Sequence, residues 1–438
     1  MVRQRPYSPD VLTSPERLMS VIAGPPLLLT DNPVTGCEGD QFGFGAHSRV
    51  LCDAVQATVH LPLTVGVFGP WGTGKSSFLN ICRETLDRRD IPTIAFNPWK
   101  YDEKEAVWHA LIQTVLTEIA ADQDGRRSDL SAKAGRLSSA AAWLLLRRSA
   151  GPLTGGFVNG NDVTAVRDAW QARGIENYRH INNFEADFAE VVQAFVGDRG
   201  RLVIFVDDLD RCQGDTAIAV LDALKLFLGE ASCVFVLAMD FDVISTAAAK
   251  RFDGDHARGR QYLEKLIHFP YHLPGVRFEA VFQQLQDSVV LELRGDPALW
   301  RLAEDAFGDN PRRIRRFISA LNLTAATLCL HSRPSRDRLM QAAILLALRM
   351  RFPDFFQRVQ ANPAVWERLD EAARTQNNAR LRQDEVDLTT AEPALSNLLL
   401  AVTPGERSGC SFPHIPTKAQ IEVVTQVLTV TGGPGEQS

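Results

Sequence analysis

The sequence Gly-Val-Phe-Gly-Pro-Trp-Gly-Thr-Gly-Lys-Ser-Ser-Phe at residues 66–78 fits the pattern G-x-x-x-x-G-K-[ST] from Gly69 to Ser76. An apolar run, Leu63–Phe68, precedes it and predicts a buried strand, and the residues from Lys75 to Leu86 predict a helix. Glycines allow successive backbone N–H groups to point into one concave anion site, and the helix N-terminus adds partial positive charge. The stretch therefore predicts a phosphate-binding strand–loop–helix unit, a P-loop.

Two residues of this loop carry the strongest chemical expectations. Lys75 is expected to reach the β- and γ-phosphates of a nucleotide, and the Ser76 hydroxyl is expected to ligate Mg²⁺. A glycine-rich turn that matches the pattern by accident is the alternative. The residues expected to bind the nucleotide are Gly69, Pro70, Trp71, Gly72, Thr73, Gly74, Lys75, Ser76 and Ser77.

A second strand ends in acidic residues. The run Leu202–Val206 is wholly apolar, as expected of a strand buried on both faces of a parallel sheet, and Asp207 and Asp208 follow it. Open α/β sheets bind ligands at this carboxyl edge. Asp207 is expected to hold Mg²⁺, which prefers oxygen ligands, and Asp208 is expected to accept a proton from the attacking water. Paired with the P-loop, these carboxylates favour a nucleotide site over an ordinary acidic turn.

Two further positions are candidate catalytic residues. Asp240 follows the predicted strand Cys233–Ala238, where it could sense the γ-phosphate or position the water, and an Asp that simply ends the strand is the alternative. Asn310 and Pro311 predict a helix start. Arg313, with the neighbouring arginines of that helix, could reach the γ-phosphate from a lid. A solvated basic face and a nucleic-acid patch are the alternatives.

Composition limits the class of protein. The 438 residues are enough for two or three domains, and the net charge of −6 gives no general reason to expect a nucleic-acid partner. The seven cysteines are scattered without a C-x-x-C pair, which predicts free thiols in a reducing cytoplasm. No run reaches the ~18 apolar residues of a membrane span. The run Leu137–Leu146 is flanked by arginines and predicts a packed helix, with peripheral membrane binding as the alternative.

The chain is expected to divide into four parts. Residues 1–40 predict an arm, 41–275 a P-loop core, 276–400 a helical lid, and 401–438 a C-terminal segment and tail. Further core strands are predicted at Ile91–Phe96 and around Leu266–Phe269. Within the core, residues 122–174 predict a partly helical insertion.

Several motifs together resemble the KAP family of P-loop NTPases. They occur in the family's order over about residues 42–322, and their combination is specific. The motifs are Gly-Pro-Trp-Gly-Thr-Gly-Lys-Ser-Ser at 69–77, Phe-Asn-Pro-Trp-Lys-Tyr at 96–101, Phe-Val-Asp-Asp-Leu-Asp-Arg-Cys at 205–212, Val-Leu-Ala-Met-Asp at 236–240, Tyr-Leu-Glu-Lys-Leu-Ile at 262–267 and Asn-Pro-Arg-Arg-Ile-Arg-Arg-Phe at 310–317.

The resemblance implies an α/β fold of the additional-strand P-loop type, with another strand between the P-loop strand and the acidic strand. It implies ATP and Mg²⁺ as ligands, and hydrolysis that drives assembly or conformational change. Members of the family are linked to membrane-associated signalling complexes and, in bacteria, to phage exclusion. Many carry transmembrane helices between the two motifs, and this chain has no such span there. Trp99 and Tyr101 are expected to pack in the core behind the P-loop.

Three functions remain open at this point. The first is a regulatory ATPase whose nucleotide state moves the lid and changes self-association or binding of an unidentified protein partner. The second is a nucleotide-binding scaffold with little hydrolysis, which the intact Lys75, Ser76, Asp207 and Asp208 argue against. The third is a DNA-directed ATPase, which the acidic net charge makes less favoured. A guanine nucleotide is not expected, because no Asn-Lys-x-Asp element follows the acidic strand.

Overall fold

The structure, a computed structural model, describes residues 27–101, 104–121, 186, 188–197, 200–227, 232–329 and 333–403, and beyond them residues 412, 414–419, 421, 422 and 425. The chain divides into two compact units. Pro33–Pro274 form the core unit, and Met1–Asn32 with Gly275–Ser438 form the helical unit. The insertion predicted at residues 122–174, including Leu137–Leu146, lies outside the described residues. No helix in the described ranges is long and apolar enough to span a membrane.

The core unit is built on a five-stranded parallel sheet with the order β2-β3-β4-β1-β5. β4 therefore lies between the P-loop strand β1 and the acidic strand β3, and all the strands end at the same edge. This order confirms the predicted additional-strand P-loop fold. The strands are β1 (Leu63–Phe68), β2 (Thr93–Phe96), β3 (Leu202–Val206), β4 (Cys233–Met239) and β5 (Phe269–His272).

The central strands are apolar because helices cover them. Every residue of β3 and of β4 is buried, which accounts for their unbroken apolar runs. Ile204 and Phe235 share one core cluster with apolar residues of α3 and α4. The helices of this unit include α1 (Phe44–Ala57), α2 (Lys75–Asp87), α3 (Lys104–Ala121), α4 (Gly214–Phe227), α5 (Phe241–Ala249) and α6 (His256–Leu266), and residues 188–196 are also helical.

The predicted position of the last strand was wrong. The sequence pattern placed it around Leu266–Phe269, whereas β5 is Phe269–His272. Leu266 instead ends α6, where it is buried with Leu263. The apolar residues before the strand therefore belong to the buried face of a helix. β5 pairs with β1 alone among the described strands, so Pro270 lies where a missing backbone donor is tolerated.

The helical unit consists of helices in its described part. The loop before α9 confirms the predicted helix start, because the Asn310 side chain accepts a hydrogen bond from the Arg313 backbone N–H at 3.2 Å. The helices are α7 (Phe278–Leu285), α8 (Pro297–Phe307), α9 (Pro311–Cys329), α10 (Arg336–Arg351), α11 (Pro353–Ala361), α12 (Ala364–Thr375), α13 (Gln383–Ala391) and α14 (Pro393–Val402).

A short N-terminal segment also belongs to the helical unit. The Leu29 backbone N–H donates to the Ser319 hydroxyl at 2.9 Å, which ties the segment to α9. Asp31 Oδ2 lies 3.0 Å from Arg316 Nε and 3.6 Å from Arg312 Nε. Two arginines of the basic stretch of α9 are therefore paired with a carboxylate of the same unit.

An ion pair between a buried carboxylate and a partly exposed arginine joins α12 and α13. Glu385 is 2% exposed in its side chain and binds the Arg368 guanidinium, with Nε 3.1 Å from Oε2. The same carboxylate accepts the Arg382 backbone N–H at 2.9 Å and so caps α13. Arg368 chiefly, and the backbone hydrogen bond in addition, hold the pKa of Glu385 below its ordinary value.

Glu385→Gln is expected to lower the free energy of unfolding of the helical unit by about 1–3 kcal/mol at neutral pH. Because the folded-state pKa of Glu385 is lowered, the ion pair stabilises fully above the ordinary glutamate pKa. Its contribution is lost as the pH falls through the lowered value. Calorimetric unfolding across this range should therefore show the variant and the wild type converging on acidification. Glu371→Gln, at a solvent-exposed pair with Arg380, is the control and should change little. If the free energies of unfolding of the wild type and Glu385→Gln differed by the same amount at every pH, the ion pair would not be the cause.

Candidate nucleotide site

The loop between β1 and α2 requires glycine at particular positions. Gly72 and Gly74 have φ of 86° and 96°, a left-handed conformation that side chains disfavour. A Cβ added to Gly74 would lie 2.7 Å from the ring of Phe44 in α1. The Thr73 hydroxyl donates to the Pro70 carbonyl at 2.7 Å and closes the turn. The loop sequence is thus explained by a backbone that turns sharply at the N-terminus of α2.

Lys75 folds back onto its own loop. Its side chain is 7% exposed, and Nζ lies 2.9 Å from Asp210 Oδ2. The same ammonium donates to the Gly69 carbonyl at 2.8 Å and to the Pro70 carbonyl at 3.3 Å. A buried ammonium needs such partners to offset the cost of desolvation. The loop therefore places one buried cation at the carboxyl edge of the sheet.

Asp210 is a site residue that the sequence analysis missed. It follows Asp207 and Asp208 in Asp-Asp-Leu-Asp, and that third carboxylate was the available signal. Besides pairing with Lys75, Asp210 Oδ2 accepts the Asp240 backbone N–H at 3.0 Å. One carboxylate oxygen thus contacts both the P-loop lysine and the start of α5.

Ser76 and Asp207 meet across the sheet edge. The Ser76 hydroxyl lies near enough to the Asp207 carboxylate to lower its pKa. Burial has the larger effect and raises the pKa of Asp207 above its ordinary value, and Asp208 and Asp210 add to the rise. A buried carboxylate with anionic neighbours and a hydroxyl nearby is a set of oxygen donors that suits a hard divalent cation. These residues therefore fit the Mg²⁺ that P-loop proteins use.

Asp208 lies beside them with both carboxylate oxygens engaged. Its backbone is left-handed, with φ of 57°. Asp208 Oδ2 accepts from Asn97 Nδ2 at 2.9 Å, and Oδ1 forms an ion pair with Arg211 Nε at 2.7 Å. Asn97 and Arg211 are further residues of the site that the sequence analysis did not single out. Asn97 stands in the Phe-Asn-Pro-Trp-Lys-Tyr motif, which was the signal for it.

The expected core packing of Trp99 was wrong. Trp99 lies in the 3-10 turn Pro98–Lys100 after β2 and is 54% exposed. The guanidinium of Arg211 lies over its ring, 5.3 Å from the centroid. The turn carries the indole away from the core at the edge of the sheet. The expectation for Tyr101 is confirmed, since this ring stacks on Phe96 at 5.7 Å and packs against the core.

Four further residues were predicted to bind nucleotide or to act in catalysis: Asp240, Ser77, Trp71 and Arg313. The Asp240 carboxylate accepts from the Asp242 backbone N–H at 3.1 Å and caps α5. The Ser77 hydroxyl accepts from the Val34 backbone N–H at 3.2 Å. Trp71 is 49% exposed at the loop. Their roles toward a nucleotide stay predictions, as does the role of Arg313, which is exposed on α9 of the helical unit.

The sheet order and this cluster of Lys75, Ser76 and acidic residues define the protein as a P-loop NTPase of the additional-strand type. The chain belongs to the KAP family. Residues 46–328, more than half of the chain, match the model of the KAP family P-loop domain. The resemblance given by the sequence motifs is therefore confirmed.

Individual relatives are distant. A stretch of 92 residues is 24% identical to "Kinase D-interacting substrate of 220 kDa" from Rattus norvegicus and to the protein of that name from Homo sapiens. The match spans 20% of this chain and about 5% of the length of those relatives.

Two solved structures from Aeropyrum pernix are also similar. The ORC2 protein in ADPNP–ADP complexes has a TM-score of 0.36 and 15% identity, over 92% of this chain and 97% of that one. The ORC1 protein in complex with DNA has a TM-score of 0.34 and 13% identity, over 89% and 84%. Scores this low support no inference, so the sheet order and the family match carry the assignment.

Proposed function

We propose that this chain binds ATP with Mg²⁺, hydrolyses it, and uses its nucleotide state to change the conformation of the helical unit and its assembly with itself or with a protein partner. The observation that carries the proposal is the meeting of Lys75, Ser76, Asp207 and Asp208 at the carboxyl edge of one parallel sheet. Each contributes a group that phosphoryl transfer requires.

Phosphate binding is assigned to the P-loop. The N–H groups at the start of α2 and the Lys75 ammonium offer positive charge to the β- and γ-phosphates. Lys75 is held by Asp210 at 2.9 Å, so phosphate must replace that carboxylate as the partner of the ammonium. This exchange keeps the Lys75 ammonium paired in both states, while Asp210 retains the Asp240 backbone N–H as a partner.

The cation and the attacking water are assigned to the acidic strand. Ser76 and Asp207 would hold Mg²⁺, which when bound neutralises charge on the phosphates. Asp208, next in the chain, would orient the water and accept its proton. For that role one carboxylate oxygen of Asp208 must give up its contact with Asn97 or Arg211 and accept a hydrogen bond from the water instead.

Coupling to the rest of the chain has a physical route in the core unit. Asp210 accepts the Asp240 backbone N–H at 3.0 Å, and the Asp240 side chain caps α5. Release of Lys75 from Asp210 would change the charge balance at the start of α5. The protein partner and a role in signalling or phage defence are parts of this proposal that rest on the family resemblance. The cytoplasmic location is a part that rests on the scattered cysteines.

A nucleotide-binding scaffold with little hydrolysis is the second candidate. The observation that favours it is the engagement of both Asp208 oxygens by Asn97 and Arg211. A DNA-directed ATPase has less support, since Arg312 and Arg316 pair with Asp31. A small-molecule kinase would need a second substrate site, and the sequence contains no motif that suggests one.

The test is phosphate release from ATP and from GTP, with and without Mg²⁺, with the mass measured by light scattering in the same samples. The proposal expects turnover that needs Mg²⁺ and prefers ATP, and a mass that differs between the apo form and the form bound to a non-hydrolysable ATP analogue. Binding of ATP with no phosphate release would favour the scaffold. Salt-sensitive DNA binding that stimulates turnover would favour the DNA-directed ATPase.

A further inference from the structure

We infer that Asn97 and Arg211 restrain Asp208 from acting on water in the resting state, and that Trp99 stabilises this restraint by covering Arg211. The inference deepens the proposed function and rests on it, because a restraint has meaning only if Asp208 serves hydrolysis. The P-loop and the acidic strand explain no role for Asn97, Trp99 or Arg211, and the inference gives each of them one.

Asn97 reaches Asp208 because their strands are neighbours. The Asp207 backbone N–H donates to the Phe96 carbonyl at 3.0 Å, which extends the β2–β3 pairing to the sheet edge. The next residues on each strand, Asn97 and Asp208, then meet side chain to side chain at 2.9 Å. The contact is thus a consequence of strand register.

Arg211 holds the other oxygen of the same carboxylate. It lies three residues after Asp208, in the 3-10 turn Leu209–Arg211. Its Nε is 2.7 Å from Oδ1, an ion pair that acts by charge because Nε makes no hydrogen bond within the described part of the chain. Both oxygens of Asp208 therefore face a protein donor or cation. A water approaching Asp208 has to displace one of them before it can donate its proton.

Trp99 links the two holding residues. Asn97 Oδ1 accepts the Trp99 backbone N–H at 3.0 Å, so one amide side chain binds the turn and Asp208 together. The Trp99 ring lies against the Arg211 guanidinium at 5.3 Å while remaining 54% exposed. Displacement of the exposed indole would open Arg211 to water, which weakens its ion pair, and would pull on Asn97.

The same contacts admit the opposite role, in which they hold Asp208 in its working orientation. Removing the contacts should speed ATP hydrolysis if they restrain Asp208, and should slow it if they hold Asp208 in its working orientation. A change that removes the donor to Asp208 and keeps the cap of the turn separates the two roles. Asn97→Ser does this, because serine caps such turns well and its side chain is one atom shorter than the amide Nδ2 that reaches Asp208.

The experiment is single-turnover hydrolysis of Mg·ATP, with ATP affinity measured by calorimetry on the same proteins. Asn97→Ser is expected to hydrolyse bound ATP about 10- to 100-fold faster than the wild type, the range expected for one hydrogen bond to a charged group. Its ATP affinity should be unchanged. Trp99→Leu alters a side chain that is 54% exposed, and it should also raise the rate. Lys100→Ala, an exposed change in the same turn, is the matched control and should leave the rate unchanged.

The outcomes separate a failure of the restraint from a failure of the ATPase proposal. Faster hydrolysis by both variants would support the restraint. Hydrolysis by Asn97→Ser when the wild type alone hydrolyses no ATP would support it strongly. Equal or slower hydrolysis by both variants, with a wild type that turns over, would overturn the restraint and leave the ATPase proposal standing. Bound ATP that neither wild type nor variants hydrolyse would overturn both.

Discussion

Lys75→Ala is expected to weaken Mg·ATP binding by about 10- to 100-fold, measured by calorimetry. The change removes the cation that faces the β- and γ-phosphates, and a charge-assisted hydrogen bond contributes about 1.5–3 kcal/mol. This effect is among the largest expected, because Lys75 is a buried cation at the loop, with a side chain 7% exposed.

The variant also leaves the buried carboxylate of Asp210 without its cationic partner. Removing one member of a buried ion pair is expected to cost about 3–5 kcal/mol of stability, so a folding defect has to be separated from a binding defect. The double variant Lys75→Ala/Asp210→Asn removes the unpaired charge as well. It should regain thermal stability while staying deficient in nucleotide binding. Wild-type affinity in the double variant would rule out the phosphate-binding role of Lys75.

Asp208→Asn is expected to bind Mg·ATP with little loss and to lower turnover by about 100- to 10,000-fold, the usual contribution of a general base. Asparagine has the shape of aspartate and tolerates the left-handed backbone of this position, where φ is 57°. It cannot accept the proton of the water. Phosphate release and calorimetry on one preparation measure the two effects.

Asp253→Asn provides a matched control. Asp253 also has a left-handed backbone, with φ of 54°, and lies exposed between α5 and α6. The same chemical change there should leave binding and turnover as in the wild type. If Asp208→Asn hydrolysed ATP at the rate of this control, the base would have to be another group.

Local patterns were sufficient to predict the site's framework. The pattern from Leu63 to Ser76 combines an apolar run, glycines and a helix start within one short segment, so neighbouring residues decide its structure. The apolar run at Leu202–Val206 was equally clear because strands buried on both faces contain no polar interruptions. The structure places both as predicted. That another strand separates these two came from the family resemblance, since spacing alone does not order a sheet, and the structure shows that this strand is β4.

Contacts between distant residues could not be predicted in the same way. Asn97 and Asp208 are 111 residues apart, and their meeting depends on the register of β2 against β3. Lys75 and Asp210 meet only because β4 sets the distance between two loops. Trp99 was expected in the core because aromatic side chains are usually buried, whereas its turn projects from the sheet edge and pairs it with Arg211. Residue type in these cases was a weaker guide than position at the edge of the sheet.

Mg·ATP is expected to bind where the P-loop meets the acidic strand. An experimental structure of the chain with Mg²⁺ and a non-hydrolysable ATP analogue tests this expectation. In that complex Lys75 Nζ, now 2.9 Å from Asp210 Oδ2, is expected to move to the β- and γ-phosphates. The Ser76 hydroxyl and the Asp207 carboxylate are expected to bind the metal, directly or through water. Nucleotide bound elsewhere, or bound with the Lys75–Asp210 pair intact, would contradict this expectation.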